Sequence, residues 1–289
     1  MIRKAELVVD AQAWLGEGPA WDARTQNLYW VDILAGKLHI FRDVDRVLEL
    51  GESVSAVAPC RSGGVILTMG RAFCRLDPDS GAVSQLAVPD GELDENRFND
   101  GKCDAAGRFL AGTMNRDERQ PTGSLYSLDP GGTITRLLTG VTISNGIAWS
   151  PDHRTLYYID TPTREVHAFD YDLETGLLAN RRSAIRVPAE MGWPDGMTSD
   201  TSGCLWIALW GGASVTRWDP QSGEPLEQVH LPALNVSSCV FGGEELNDLY
   251  ITSARAGLDE ATLQEYPQSG GLFRLSTNAV GMPTFEFGA

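Results

Sequence analysis

The chain is predicted to be all-β: a six-bladed β-propeller of four-stranded antiparallel blades around a central channel. Three observations predict it. Apolar runs of about five residues alternate with turns rich in Pro, Asp, Gly and Thr, as short antiparallel strands do. One pattern recurs along the chain: a polar residue and Gly, an apolar run, a polar turn, then two further strands. Equivalent points in successive copies lie roughly 40 to 50 residues apart, the period at which one four-stranded sheet makes one blade. Six copies account for the 289 residues, and no linker or helical pattern interrupts them, so the expectation is a single domain, 1–289. A two-sheet sandwich would satisfy the strand signals alone; the fixed period favours the propeller.

The copies can be read in order. The first runs through LGEGPAWDARTQNLYWVDILAGKLHIF, with Glu17-Gly18 opening it and strands at Leu28 to Val31 and Lys37 to Phe41. The second, Ser53 to Pro78, keeps the strand rhythm without the polar-Gly opening. The third runs from Phe98 to Pro130, and the fourth from Val141 to Asp172 with Asn145-Gly146 and the strand Leu156 to Ile159. The fifth is Pro194 to Pro220 and the sixth Ser237 to Gly257, closed by a strand at Gly271 to Leu275. The segment ELVVDA near the N-terminus reads as a strand without a copy of its own. It is expected to pair with the C-terminal strands and close the ring, removing the edges an open sheet exposes.

Composition narrows the function classes. A net charge of −16 argues against nucleic acid, whose binding rests on clustered Lys and Arg, and suits a carboxylate-lined cation site. Cys60, Cys74, Cys103, Cys204 and Cys239 are scattered, odd in number and never spaced as CxxC. That points to free thiols in a reducing compartment. The N-terminal MIRKAELVVDAQAW has no apolar signal core, and no run approaches the ~18 apolar residues of a membrane span. The expectation is a cytoplasmic protein with neither membrane nor nucleic-acid partners, and a monomer, because a closed ring leaves few edges needing a partner.

Where the copies differ they become informative about chemistry. In a propeller the first strand of each copy borders the channel, so the residue ahead of the repeated Gly points at the channel mouth. Those positions hold Glu17, Asp100 (beside Asn99), Asn145 and Asp195; the second and sixth copies offer Ala56 or Val57 and Ser238. Asn-Gly and Asp-Gly also make ordinary turns, and it is the shared repeat phase that singles out this set. Converging carboxylates are costly to bury, and a divalent cation relieves that cost by taking carboxylate, amide and water oxygens. With no His or Cys at ligand spacing, calcium, magnesium or manganese is favoured over structural zinc. No GxSxG elbow, Walker loop or dinucleotide fingerprint is present.

The segments GEGPAWD, RFNDGKCDAAGRFLAGTM, SNGIAWSPD, RVPAEMGWPDGMTSD, FGG and TSARAG resemble the SMP-30/gluconolactonase/luciferin-regenerating family, in family order from about Leu15 to Leu275. The resemblance implies a six-bladed propeller with one divalent metal in its channel: calcium first, then zinc, manganese, magnesium or iron(II). It implies hydrolysis of sugar-acid lactones, within carbohydrate metabolism. The family's metal ligands fall on Glu17, Asn145 and Asp195, and Asp195 is also its general base. Arg97 and Asn99 match the substrate-binding pair, and Asp117, after the GTM turn, matches an acidic residue that binds sugar hydroxyls in some members. The loops Gln120 to Gly123 and Glu190 to Trp193 are candidate rim elements. Two alternatives remain open at this level: a related propeller hydrolase of aryl esters or organophosphates, and a non-catalytic interaction propeller.

Overall fold

A computed structural model describes residues 4–288; residues 1–3 and 289, at the ends of the expected single-domain span, lie outside it. After β1 (Glu6–Val9) the chain lays down six sheets in succession. The first is β2 (Gly16–Asp22), β3 (Asn27–Asp32), β4 (Lys37–Phe41) and β5 (Asp45–Glu49). The second is β6 (Val54–Pro59), β7 (Val65–Met69), β8 (Ala72–Leu76) and β9 (Val83–Ala87). The third is β10 (Asn96–Cys103), β11 (Phe109–Asn115), β12 (Gly123–Leu128) and β13 (Ile134–Val141). The fourth is β14 (Ser144–Trp149), β15 (Thr155–Asp160), β16 (Glu165–Tyr171) and β17 (Leu178–Arg186). The fifth is β18 (Trp193–Ser199), β19 (Leu205–Trp210), β20 (Ser214–Asp219) and β21 (Glu224–His230). The sixth is β22 (Asn235–Gly242), β23 (Asp248–Ala254) and β24 (Leu272–Ser276), with β1 antiparallel to β24 as its outer strand. Neighbouring innermost strands touch all the way round, and β2 meets β22. The ring is therefore a six-bladed propeller, closed as ELVVDA suggested.

Burial falls from hub to rim. The innermost strands β2, β6 and β14 are buried at every residue, whereas β9 is exposed at all but its last. This gradient explains why three strands per copy read clearly in the sequence and the fourth, polar on both faces, did not. The core is six wedges, one between each pair of neighbouring blades. Trp21, Trp30 and Tyr250 fill the wedge that closes the ring, and Phe73, Phe98, Phe109 and Tyr126 fill the one between the second and third blades. Trp149, Trp206 and Trp218 fill other wedges. Trp14 is instead exposed.

The sequence reading stopped at the last strand; the structure adds a strap beyond it. Residues 280–288 cross the channel end opposite the acidic mouth and touch every blade. The amide of Gly281 donates to Leu246 O, Met282 to Ser199 O, Phe287 to Pro59 O and Gly288 to Gly107 O, at 2.7–3.0 Å. Glu286 pairs with Arg24 at 2.9 Å, and Phe285 meets His153 edge to face. One short helix, α1 (Glu260–Glu265), is capped by Asp259 and lies outside the blades.

Candidate metal and substrate site

Each innermost strand is paired irregularly at the same place. The register shifts fall between Glu17 and Ala20, Val54 and Ala56, Phe98 and Gly101, Asn145 and Ile147, Pro194 and Met197, and Val236 and Ser238. A β-bulge re-aims a side chain and tightens local twist. Here it falls at or beside the polar-Gly pairs, which therefore lie within bulged strands rather than in turns. The glycines answer to crowding at the hub. A Cβ on Gly146 would stand 2.6 Å from Ile159 Cδ1 and 2.8 Å from Asp195 O, and one on Gly196 would be 2.1 Å from Ser238 Oγ.

A second device fixes the approach to two of these strands. Asp32, at the end of β3, accepts the amides of Trp14 and Leu15 at 2.8 and 3.0 Å, just ahead of Glu17. Asp160 holds the same place in the fourth blade and accepts the amides of Thr142 and Ile143, ahead of Asn145. The paired Asp residues of YWVD and YYID thus set where the candidate ligands enter the mouth.

The mouth opens into a pocket of about 410 Å³ lined by Glu17, Arg97, Asn99, Glu118, Asn145, Thr161 and Asp195 on its polar side. Its apolar wall is Leu15, Met114, Ile143, Pro162, Trp193 and Trp210. Hydrogen bonds run in one direction across three blades. Arg97 Nη1 donates to Asn99 Oδ1 at 2.6 Å, and Asn99 Nδ2 donates to Asn145 Oδ1 at 2.9 Å. Asn145 Nδ2 then donates to Thr161 Oγ1 at 2.7 Å, and Thr161 Oγ1 to Pro194 O at 2.8 Å. This order fixes which end of each amide faces which neighbour, and Asn145 Oδ1 keeps a second lone pair.

The carboxylates are electrostatically frustrated. Burial, and then the charge of Asp100, push the Glu17 carboxyl up to about 8 against the pull of the Gly18 amide, Arg97 and Lys102. Burial holds Asp195 well above the usual carboxylate range, and Glu17, Asp100 and Glu118 add to the effect. Burial lowers Arg97 to about 10. On the inner side of the mouth, the half-buried Lys102 donates to Met197 O at 2.7 Å, and Asp100 accepts the Gly101 amide.

Glu17, Asn145 and Asp195 thus converge, with Arg97 and Asn99 beside them. Among the described residues no group of three drawn from His, Cys, Asp and Glu could hold a metal; the donor set is two carboxylates and an amide. It fits a hard divalent cation, because hard ions take oxygen ligands and positive charge is what two buried, mutually repelling carboxyls lack. Asp117 lies exposed on its turn, where its amide donates to Asn115 Oδ1, and the pocket lining takes in its neighbour Glu118 instead. Of the two candidate rim loops, Trp193 reaches the pocket and residues 120–123 do not line it. Sequence reasoning missed Thr161, Glu118 and Lys102. Thr161 follows YYID directly, so its place beside the clamping Asp160 was the available signal.

The chain matches the model of the SMP-30/Gluconolactonase/LRE-like region over residues 15–255. It is 41% identical to regucalcin of Bos taurus over 295 residues, covering 98% of each chain. Among solved structures it superposes on a calcium-binding protein, regucalcin, of Agrobacterium tumefaciens with TM-score 0.94 and 27% identity, covering 99% and 98% of the two chains. A gluconolactonase of Xanthomonas campestris matches with TM-score 0.77 and 26% identity, covering 93% of this chain and 88% of that one. No helix among the described residues is long and apolar enough to cross a membrane.

Proposed function

This chain belongs to the SMP-30/gluconolactonase/LRE-like family, and from that premise we propose that it is a divalent-metal-dependent lactonase opening a sugar-acid lactone to the free acid. The observation that carries the reading is the meeting of Glu17, Asn145 and Asp195 with the Arg97–Asn99 pair in one pocket. Regucalcin of Agrobacterium is described as calcium-binding, and the Xanthomonas relative as a gluconolactonase. Both support the reading, with calcium as the first ion to test.

The chain's own residues divide the work. Glu17 and Asp195 would hold the ion through carboxylate oxygens and Asn145 through its amide oxygen. When bound there, the ion supplies Lewis acidity for the lactone carbonyl. Asp195 would also accept the proton of the attacking water through its carboxylate. Arg97 donates to ring and hydroxyl oxygens through the guanidinium hydrogens not committed to Phe98 O and Asn99 Oδ1, and Asn99, whose amide hydrogens go to Ser144 O and Asn145 Oδ1, accepts a substrate hydroxyl through Oδ1; together they orient the carbonyl toward that water. Leu15, Met114 and Ile143 supply part of the apolar wall.

The test is a pH-stat screen of aldonolactones and uronolactones with aryl esters and paraoxon as counter-substrates. Hydrolysis of at least one sugar lactone, lost after exhaustive EDTA and restored by a divalent ion, is the expected outcome. Full activity after chelation, or turnover confined to aryl esters or paraoxon, would overturn the reading.

A further inference from the structure

We infer that Trp193 is a specificity-determining platform on which the carbon–hydrogen face of the sugar ring stacks, held ready by Arg164. The inference rests on the sugar-lactone reading and names a residue outside the polar set already described.

Trp193 opens β18 two residues before Asp195, and both side chains line the pocket. It lines the pocket yet is 41% exposed, unusual for an indole in a protein whose other large aromatics are mostly in the wedges. Its cross-strand partner in β19 is Trp210, which also lines the pocket, and Pro162 completes this side of the rim. An exposed indole next to a charged floor is costly in water unless something covers it.

The ring is braced from behind. The Arg164 guanidinium carbon lies 3.5 Å from the Trp193 ring centroid, within cation–π range. Arg164 Nη1 donates to Gly192 O at 2.7 Å, fixing the backbone immediately before the indole. Arg164 itself closes the 3-10 turn Thr161–Thr163 in the left-handed conformation, φ 57°. That turn begins with the threonine that binds Asn145 and Pro194 O. Platform and ligand cluster are therefore one braced unit.

With one face of the indole taken by Arg164, the opposite face and the edge remain for a ligand. A ligand spanning this pocket needs oxygens toward Arg97 and Asn99 and an apolar flat side toward Trp193. A saturated sugar ring has both: hydroxyls at its edge and axial C–H bonds on its face.

The wild type, Trp193→Ala, Trp193→Phe and Arg164→Ala are compared on D-glucono-1,5-lactone, on every other aldonolactone the wild type hydrolyses, and on the aromatic lactone dihydrocoumarin. Each is also titrated with D-gluconate while tryptophan emission is followed. Trp193→Ala should raise KM for the sugar lactone roughly tenfold with kcat within about twofold, the size of one lost apolar contact. Trp193→Phe should recover most of the loss, and Arg164→Ala should fall between wild type and Trp193→Ala. Gluconate should change the emission of the wild type far more than that of Trp193→Phe, in which Trp210 is the indole left in the pocket. An unchanged KM in Trp193→Ala, a kcat that falls as far as KM rises, or an effect confined to dihydrocoumarin overturns the platform. If the wild type opens no lactone, the lactonase reading fails by itself and the titration still judges Trp193: no emission change in the wild type, or one of equal size in Trp193→Phe, overturns it.

Discussion

Asn145 shows how much a single side chain carries in this protein. Its amide nitrogen is committed to Thr161, so its oxygen faces Asn99 and the carboxylates. Truncating it would break the relay at its midpoint and remove a candidate ligand together. Asp195 gives the cleaner variant. Asp195→Asn keeps the shape and removes both a candidate negative ligand and the proposed base, so turnover should drop at least about a hundredfold, the scale of lost acid–base catalysis. In the metal-free protein the same change removes charge repulsion with Glu17 and Asp100, and the melting temperature should rise rather than fall. Differential scanning calorimetry in EDTA checks the second half. Glu17 provides a pH test. Its ordinary value of 4.5 is raised to about 8 in the fold. The stability due to neutral Glu17 is complete below pH 4.5 and is lost as pH rises through about 8. A cation must displace that proton, so the melting-temperature gain on adding calcium should be larger at pH 8 than at pH 5. Equal gains at both would contradict the assignment.

At the scale of the element, the bulge is what turns a strand into a site. The innermost strands are apolar enough to be buried on both faces, and yet each is interrupted at the same place, in four of the six at a polar-Gly pair. The regular strands further out supply the wedges, and their stability is ordinary packing. Phe109, in β11, contacts Phe73 at 6.0 Å between ring centroids and has no exposed surface. Phe109→Ala should cost about 3–5 kcal/mol, read as a lower urea midpoint with an unchanged slope. The outer strands contribute little apolar burial, and their sequence is correspondingly permissive. That is why the fourth strand of each copy, such as Val83–Ala87, left no clear trace to read.

For the whole molecule, closure is achieved twice. β1 completes the sixth sheet beside β24, and the terminal strap ties all six blades together across the end opposite the candidate site. Met282, Pro283, Thr284 and Phe285 of the strap line a small cavity of about 40 Å³ beside Lys102. Removing residues 280–289 withdraws Phe285 and Phe287 from their packing on the second and third blades. Both are half-buried, so each contributes less than the about 1.5–3 kcal/mol of full burial, and the melting temperature should fall by a few degrees. A truncated protein melting with the intact one would show the strap to be dispensable.

The chain alone determined the blade number, the closing N-terminal strand and the polar residues of the hub, because a repeat imposes one period and one phase on positions far apart. The family resemblance narrowed those hub residues to a ligand trio and a substrate pair. Only the tertiary structure decided that Glu118 rather than Asp117 lines the pocket. It alone revealed the Arg97-to-Pro194 hydrogen-bond chain, the bracing of Trp193 by Arg164 and the strap. Each of these depends on which side chains meet across blades, and such meetings follow from closure of the ring, which no local pattern of residues encodes.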